Sequence, residues 1–232
     1  MKKHDIVYVL KNDIKANELR YSLRSVEQNM TYKSVWFYGG CPAELKPDHY
    51  VRLTQHGATK WEKVAETLAV AFRNDDLTED VWLFNDDFFI LKKLTTTQPM
   101  VQGSLAYRCQ KIKAQTEGRP SPYSEQLMRT LAVLKADGKD RLDYALHVPM
   151  LINRKKGLEV LQKFPSVPMF RSLYGNYWSI GGTLMNDVKI QNNNDIPGKD
   201  WRFVSTSDGA FKNGRVGDYI RGQFKEPSRY EI

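Results

Sequence analysis

The stretch that most constrains the fold is a run of three segments near the start. "DIVYVL" (5–10) is a short, continuous apolar run rich in β-branched residues, the pattern of a strand buried on both faces. "KANELRYSLRSVEQNM" (15–30) follows, and its Ala16, Leu19, Leu23, Val26 and Met30 recur by steps of three and four, which sets them on one helix face. Arg20, Arg24 and Glu27 fall outside that stripe. A second apolar strand, "SVWFY" (34–38), is then stopped by Gly39-Gly40. Strand, helix and strand in this order make a β-α-β unit with a right-handed crossover. Such a unit demands a parallel sheet covered by helices, and so an α/β architecture.

The pattern continues through the first half. "YVRL" (50–53) reads as a third strand, and "TKWEKVAETLAVAFRN" (59–74) carries Trp61, Val64, Ala65, Leu68, Ala69 and Phe72 at helical spacing. "DVWLF" (80–84) reads as another buried strand. The second half is less regular. "KIKAQTEGRPSPY" (111–123) reads as an exposed basic loop with turn signals at Gly118, Pro120 and Pro122. "SEQLMRTLAVLKADG" (124–138) predicts a helix with Ser124 as N-cap and Gly138 at its end. "YALHVPMLINR" (144–154) is extended or mixed, and "KGLEVLQKF" (156–164) predicts a short helix ended by Pro165. "WRFVST" (201–206) predicts a strand and "RVGDYIRGQF" (215–224) a closing amphipathic helix.

Within this scheme "VWLFNDDFFIL" (81–91) sets Asp86 and Asp87 between two strongly apolar runs. An unpaired buried carboxylate is costly, so these groups need a cation, a hydrogen-bond partner or water. They stand where the "DVWLF" strand ends, and ligands of open α/β sheets bind beyond the carboxyl ends of strands. In an extended chain Asn85 and Asp87 would share one face and Asp86 the other, whereas a turn would bring both carboxylates together. Hard divalent cations take oxygen ligands, and Mg²⁺ commonly combines one or two carboxylates with substrate phosphates. The alternative is a polar strand end that caps the next turn.

The totals bound the class. A chain of 232 residues, 41% hydrophobic and 27% charged, suits one globular domain with an elaboration. Its net charge of +8, from 35 Lys and Arg against 27 Asp and Glu, favours phosphate-rich partners or serves solubility. The denser basic patches run from Arg108 to Arg119 and from Arg154 to Lys156. Two cysteines, Cys41 and Cys109, give neither a disulfide framework nor a cysteine zinc site. The apolar run of the N-terminus is too short for a signal peptide or membrane span, so a cytoplasmic protein without a membrane partner is expected.

Several blocks carry a resemblance. "NELRYSLRSVE" (17–27) and "FNDDFFI" (84–90) resemble the first two conserved regions of the Stealth family, which includes bacterial capsule polymerases and the GlcNAc-1-phosphotransferase that tags lysosomal enzymes. "LHVPMLINRKKGLEVLQKF" (146–164) and "FRSLYGN" (170–176) resemble its third region. "FVSTSDGAF" (203–211) and "IRGQFKEPSRYE" (220–231) are similar to the endings of related, often phage-encoded, sugar transferases.

The resemblance implies a GT-A-like fold: an open, mostly parallel sheet with flanking helices and an irregular C-terminal half. Residues 1–95 would bind the nucleotide-sugar and 96–232 would form the acceptor side. It also implies a nucleotide-sugar donor, UDP-linked by preference, and a divalent cation, Mn²⁺ or Mg²⁺. Matched by motif, His147, Glu66, Arg171 and Asp87 are catalytic. Read from the residues themselves, Asp86 and Asp87 are the candidate metal ligands, and Asp208 in "STSDG" is either a further ligand or a turn residue. Asp13 and Asn85 fall to the donor, and the Arg20 and Arg24 face either binds its phosphate or pairs with Glu27. The family's Trp-Val-Asp-Gly turn after the first strand is replaced here by "LKND", with Asp13 standing in for its acid.

The chemistry fits these residue types. Histidine, with an unperturbed pKa of about 6.5, can take a proton from an acceptor hydroxyl at neutral pH. Arginine's planar fork suits a diphosphate. The expected activity is transfer of a sugar to a hydroxyl, with a hydroxylated base of phage DNA or a glycan as acceptor. The rival readings are transfer of a sugar 1-phosphate and a non-catalytic nucleic-acid-binding module; a metal-dependent nuclease would want more clustered carboxylates.

Overall fold

The computed structural model describes residues 2–165 and 169–232. The first half contains β1 (Asp5–Val9), α1 (Ala16–Asn29), β2 (Val35–Gly39), β3 (His49–Arg52), α2 (Lys60–Arg73) and β4 (Asp80–Phe84). Then come β5 (Phe88–Ile90), β6 (Met100–Val101), α3 (Leu105–Gln115), α4 (Pro122–Ala136), β7 (Met150–Asn153) and α5 (Arg154–Lys163). The chain closes with α6 (Phe170–Tyr177), β8 (Thr183–Leu184), β9 (Lys189–Ile190), β10 (Phe203–Thr206), α7 (Asp208–Asn213) and α8 (Arg215–Gln223).

The central sheet has the order β3-β2-β1-β4-β7. β1 to β4 run parallel, and β7 joins β4 antiparallel with Trp82 opposite Leu151. The expected α/β architecture, a mostly parallel sheet with flanking helices, is therefore present. Side chains of β1 alternate between the faces, as strand geometry requires. Ile6 and Tyr8 pack with Leu19, Leu23 and Val26 of α1 and with Phe37 and Phe84. Val7 packs on the other face with Leu68, Ala71 and Phe72 of α2 and with residues of α3 to α6. Leu19, Leu23 and Val26 are fully buried, and each such side chain contributes about 1.5–3 kcal/mol through removal from water.

A smaller sheet, β5-β10-β9, lies beyond the end of β4, with β10 antiparallel to β5 and parallel to β9. α7 and α8 cover it through Phe211, Val216 and Ile220, which pack on Phe89 and Val204. Polar residues of α1 tie this sheet to the central one. Ser22 Oγ donates to Phe88 O at 2.6 Å, Ser25 Oγ accepts from Ile90 N at 3.0 Å, and Asn29 Nδ2 donates to Ile90 O at 2.7 Å. The three side chains thus satisfy backbone groups of β5 that would otherwise be buried unpaired.

Three local expectations change. Residues 111–115 belong to helix α3, capped by Ser104, because Leu105 and Ile112, seven residues apart, are buried on one helical face while Lys111 and Lys113 stay exposed. Helix α4 begins earlier than expected: Ser121 is the N-cap, Pro122 fills the first turn, and Ser124 closes a capping box with Ser121. Gly138 lies just beyond that helix at φ +63°, a conformation that favours glycine. Helix α6 has no counterpart in the sequence reading. Among the described residues no helix is long and apolar enough to cross a membrane.

The C-terminal segment is fastened to α1 by one buried ion pair. Arg24 donates from Nε and Nη2 to both oxygens of Glu231, at 2.7 and 2.6 Å, and from Nη1 to the carbonyls of Phe224 and Lys225. Burial opposes ionisation of Glu231, but Arg24 and the Ser228 amide outweigh it and lower its pKa. A depressed carboxylate stabilises the fold above its unfolded value and loses that contribution as pH falls through the folded one. Glu231→Gln is expected to cost about 3 kcal/mol in denaturant unfolding at pH 7. The difference from the parent protein should shrink below pH 4.5, the ordinary value for this carboxyl.

Candidate functional site

The strand order creates the site. After β1 the chain crosses through α1 to β2 on one side, while β4 lies on β1's other side after the crossover through α2. The loops that leave β1 and β4 therefore diverge, and a crevice opens between them at the strands' carboxyl ends. Lys11 enters from β1 and Asn85 to Asp87 from β4. Gly39, at φ +112°, lets β2 end against the β1 loop, where a Cβ would collide with the Leu10 carbonyl; one on Gly40 would meet the carbonyl of Lys11.

Asp86 and Asp87 occupy a turn, so both carboxylates reach the same region. Asp87 is 8% exposed, and its Oδ2 accepts from Lys189 Nζ and Ser205 Oγ, each at 2.8 Å. Lys189 and Ser205 are paired across β9 and β10, which explains how both meet one oxygen. The other oxygen, Asp87 Oδ1, is buried without a hydrogen-bond partner. Burial, and then the charge of Asp87, raise Asp86 to about 6, with Lys11 opposing. Glu18, in the first turn of α1, is likewise 8% exposed. Its Oε1 accepts from Thr206 Oγ1 at 2.6 Å. Burial raises its pKa to about 8, with Asp87, Asp86 and Asp208 adding to the rise.

These groups fit a divalent cation on the crevice side. One oxygen of Asp87 is unpaired and Asp86 is held toward its neutral form, so a positive charge placed there relieves both. Asp86 and Asp87 would supply the protein ligands, with diphosphate oxygens and water completing the shell. Among the described residues no group of three or more His, Cys, Asp or Glu forms a cage around a metal. The protein's own cations already contribute, since Lys189 pairs with one of the two oxygens of Asp87.

His147 stands beside this turn, its ring edge-on to Phe88 at 6.5 Å between centroids. Its Nδ1 lies 2.9 and 3.0 Å from the two oxygens of Asp187, and its backbone N donates to Asp187 Oδ1 at 3.3 Å. Burial opposes ionisation of Asp187, yet the bonds from His147 prevail and lower its pKa. With Nδ1–H donating to that carboxylate, Nε2 is left as the basic nitrogen. Asp187 and Lys189 are two residues apart, so the strand-like segment presents both on one face while Val188 enters the core. One short segment thereby links the histidine to Asp87.

Arg171 holds the histidine's loop in place. Its Nη1 donates to the carbonyls of Val148 and Leu146, its Nη2 to Leu83 O at 3.3 Å, and its guanidinium lies 5.0 Å from the Phe88 ring centre. Burial lowers its pKa to about 10, opposed by Asp87. The fork is thus engaged with backbone, and Arg171 is a positioning residue that clamps 146–148 to the end of β4.

The remaining sequence-derived residues are dispersed. Asp13, Asn85 and Asp208 are exposed around the crevice, and Asp208 opens α7. Glu66 accepts from the amides of His56 and Gly57 at 2.9 and 3.1 Å and shapes the loop before α2. Arg20 and Arg24 meet Glu231 rather than Glu27, which pairs with Arg229. Sequence reasoning missed Glu18, Asp187 and Lys189. Glu18 lay inside a quoted block, but its burial depends on Thr206, 188 positions away. "DVKI" (187–190) does alternate polar and apolar residues, over too few positions to stand out.

No family model matches the chain, and no curated protein matches it. Among solved structures, the crystal structure of an active-site mutant of LgtC covers 97% of this chain and 98% of its own at 13% identity, with a TM-score of 0.45. The galactosyltransferase LgtC in complex with donor and acceptor sugar analogs covers the same 97% and 98% at 12% identity, with a TM-score of 0.48. No residue of this chain takes a role from that likeness.

Glu18 gives a test of the crevice's electrostatics. Its folded pKa, about 8, lies above the ordinary 4.5, so the unfolded chain releases this proton first as pH rises. The contribution to stability is full below 4.5 and is lost progressively up to pH 8. Glu18→Gln keeps the shape without the ionisation. Thermal unfolding of Glu18→Gln is expected to rise relative to the parent protein across that interval, and a constant offset would place the titration elsewhere.

Proposed function

We propose that the chain is a nucleotide-sugar-dependent glycosyltransferase that moves a sugar to a hydroxyl acceptor. The observation that carries the reading is a histidine with Nδ1 held by a carboxylate, next to an acidic turn at the switch point of a parallel sheet. The sequence blocks that resemble the Stealth family place the same residues, Asp87 and His147, in the reaction. UDP is the preferred nucleotide, and Mn²⁺ or Mg²⁺ the cation.

In this reading Lys11 and the Asp86–Asp87 turn face the donor diphosphate. A cation held by the two carboxylates would supply charge neutralisation for the departing diphosphate. His147 Nε2 takes the proton of the acceptor hydroxyl as its oxygen bonds to the anomeric carbon. The bond from that carbon to the phosphate oxygen breaks, and its electron pair leaves with the nucleoside diphosphate. Asp187 holds the ring and stabilises the imidazolium that forms. Arg171 keeps the loop of His147 against the carboxyl end of β4.

The acceptor side is the basic second half, where Lys111, Lys113 and Arg119 are exposed. A hydroxylated base in DNA suits that charge, and a glycan is the alternative. Sugar 1-phosphate transfer is the competing chemistry, and the two differ in the bond broken in the donor.

Incubation with a panel of nucleotide-sugars is expected to release a nucleoside diphosphate, read by chromatography. Nucleoside monophosphate as sole product would establish sugar-phosphate transfer instead. His147→Ala is expected to lose on the order of 10²–10⁴-fold in turnover with donor binding nearly intact. A fully active variant would remove the histidine from the reaction.

Asp187 acts through His147, so its substitution should separate rate from binding. Asp187→Asn is expected to lower kcat on the order of 10²-fold while KM for the donor changes little. A rise in KM with kcat unchanged would show that Asp187 only shapes the donor site.

A further inference from the structure

A second cleft lies outside the carboxylate crevice. It has a volume of about 630 Å³ and is bounded by the start of α1, the loop Pro42–Glu44, and the ends of α7 and α8. Asp86, Asp87, Lys11 and His147 do not line it. Four cations from three helical regions do: Lys15, Arg20, Lys212 and Arg221. Glu44 is the one acid in the lining.

The two arginines are held in place by neighbouring groups. Arg221 donates to Phe211 O and to Asp218 Oδ1, each at 2.8 Å, with its guanidinium 5.3 Å from the centre of the Phe211 ring. Arg20 Nε sits 3.3 Å from Glu231 Oε2, an ion pair without hydrogen-bond alignment, and this buried nitrogen has no hydrogen-bond partner. Lys15 and Lys212 are exposed and have no ion-pair partner among the described residues. Tyr21 packs on Phe211 at 5.8 Å between centroids and gives the cleft an aromatic wall.

Helix α1 opens into the same space. Its N-cap, Lys15, makes no side-chain cap hydrogen bond, so the first-turn amides receive no acceptor from that residue. Arg20 and Arg221 are paired with Glu231 and Asp218, whereas Lys15 and Lys212 face the cleft with only Glu44 of its lining opposing them, and a bound anion gives these two lysines a partner. The volume exceeds what a single phosphate fills and lies within the range of small-molecule sites.

We propose that this cleft binds a phosphate-bearing ligand at a site separate from the Asp86–Asp87 crevice. The phosphate lies among Lys15, Arg20, Lys212 and Arg221, and the rest of the ligand lies along Tyr21. The inference does not depend on the glycosyltransferase reading, because Lys11, Asp86, Asp87 and His147 do not line the cleft; Arg20, assigned to the donor from sequence, lines this cleft instead.

Calorimetric titration with inorganic pyrophosphate, in low-salt buffer containing a chelator, tests it directly. The parent protein is expected to bind. Lys15→Glu with Lys212→Glu, two exposed positions, should weaken binding on the order of tenfold or more, since two attractive charges become repulsive. Asp87→Asn should leave it unchanged. No binding by the parent protein, unchanged affinity in the double variant, or loss in Asp87→Asn would each overturn the proposal. Parallel titration with uridine diphosphate distinguishes the source of the phosphate. Tighter binding than pyrophosphate, lost in the double variant, supports a nucleotide along Tyr21; equal affinity supports a phosphorylated ligand of another kind.

Discussion

The buried carboxylate of Asp87 is the constraint on which the rest of the molecule turns. A charge placed between apolar strands is tolerated only with partners, and here they come from far along the chain: Lys189 and Ser205. To supply them, the last third of the chain must return and build β9 and β10 against β5. The smaller sheet therefore exists where the acidic turn needs it. α1 completes the arrangement, since Ser22 and Ser25 anchor β5 on the strand side just after the turn.

That compensation is incomplete in an informative way. One oxygen of Asp87 is paired twice, while the other is buried and unpaired. Burial first, and then the neighbouring negative charge, raise Glu18 to about 8 and Asp86 to about 6. A structural ion pair would be expected to satisfy its own carboxylate. A cluster held partly neutral and partly unpaired is instead a place where added positive charge is favourable. The second half meets this cluster through Ser205 and Thr206 of β10 and through the segment Asp187 to Lys189, and the latter also orients His147. His147 and the acidic turn are thus fixed relative to each other by three consecutive residues.

Much of the fold was legible because burial in a parallel sheet is written locally. β1, β2, β3, β4 and both long crossover helices follow from runs and spacings within about a dozen residues, and each is found within a residue or two of its expected place. Helix α3 was not legible for the converse reason: only Leu105 and Ile112 are buried in it, so the apolar stripe is too thin to see. In the candidate site, Asp86 and Asp87 stood out because acids among apolar residues are conspicuous. Asp187 and Lys189 did not, because a polar pair at alternate positions is what any exposed short strand looks like. Their meaning lies in partners 40 and 102 residues away, which only the tertiary structure supplies.

The arginines make the same point about charge. Counted from the sequence, +8 describes one basic surface, and arginine suggests phosphate. In the fold the arginines divide by burial. Arg24, Arg154 and Arg171 are buried or nearly so and donate to backbone carbonyls: Phe224 and Lys225, Phe72, and Leu83 with Leu146 and Val148. Each joins segments that no regular ladder connects, a task suited to a fork of five donors that keeps its charge when desolvated. A lysine could not make those divergent bonds. The cations available to ligands are then the surface lysines, exposed arginines such as Arg119, Arg202 and Arg215, and the arginines of the cleft beside α1, so the excess charge bears on binding only where burial has not already assigned it to the fold.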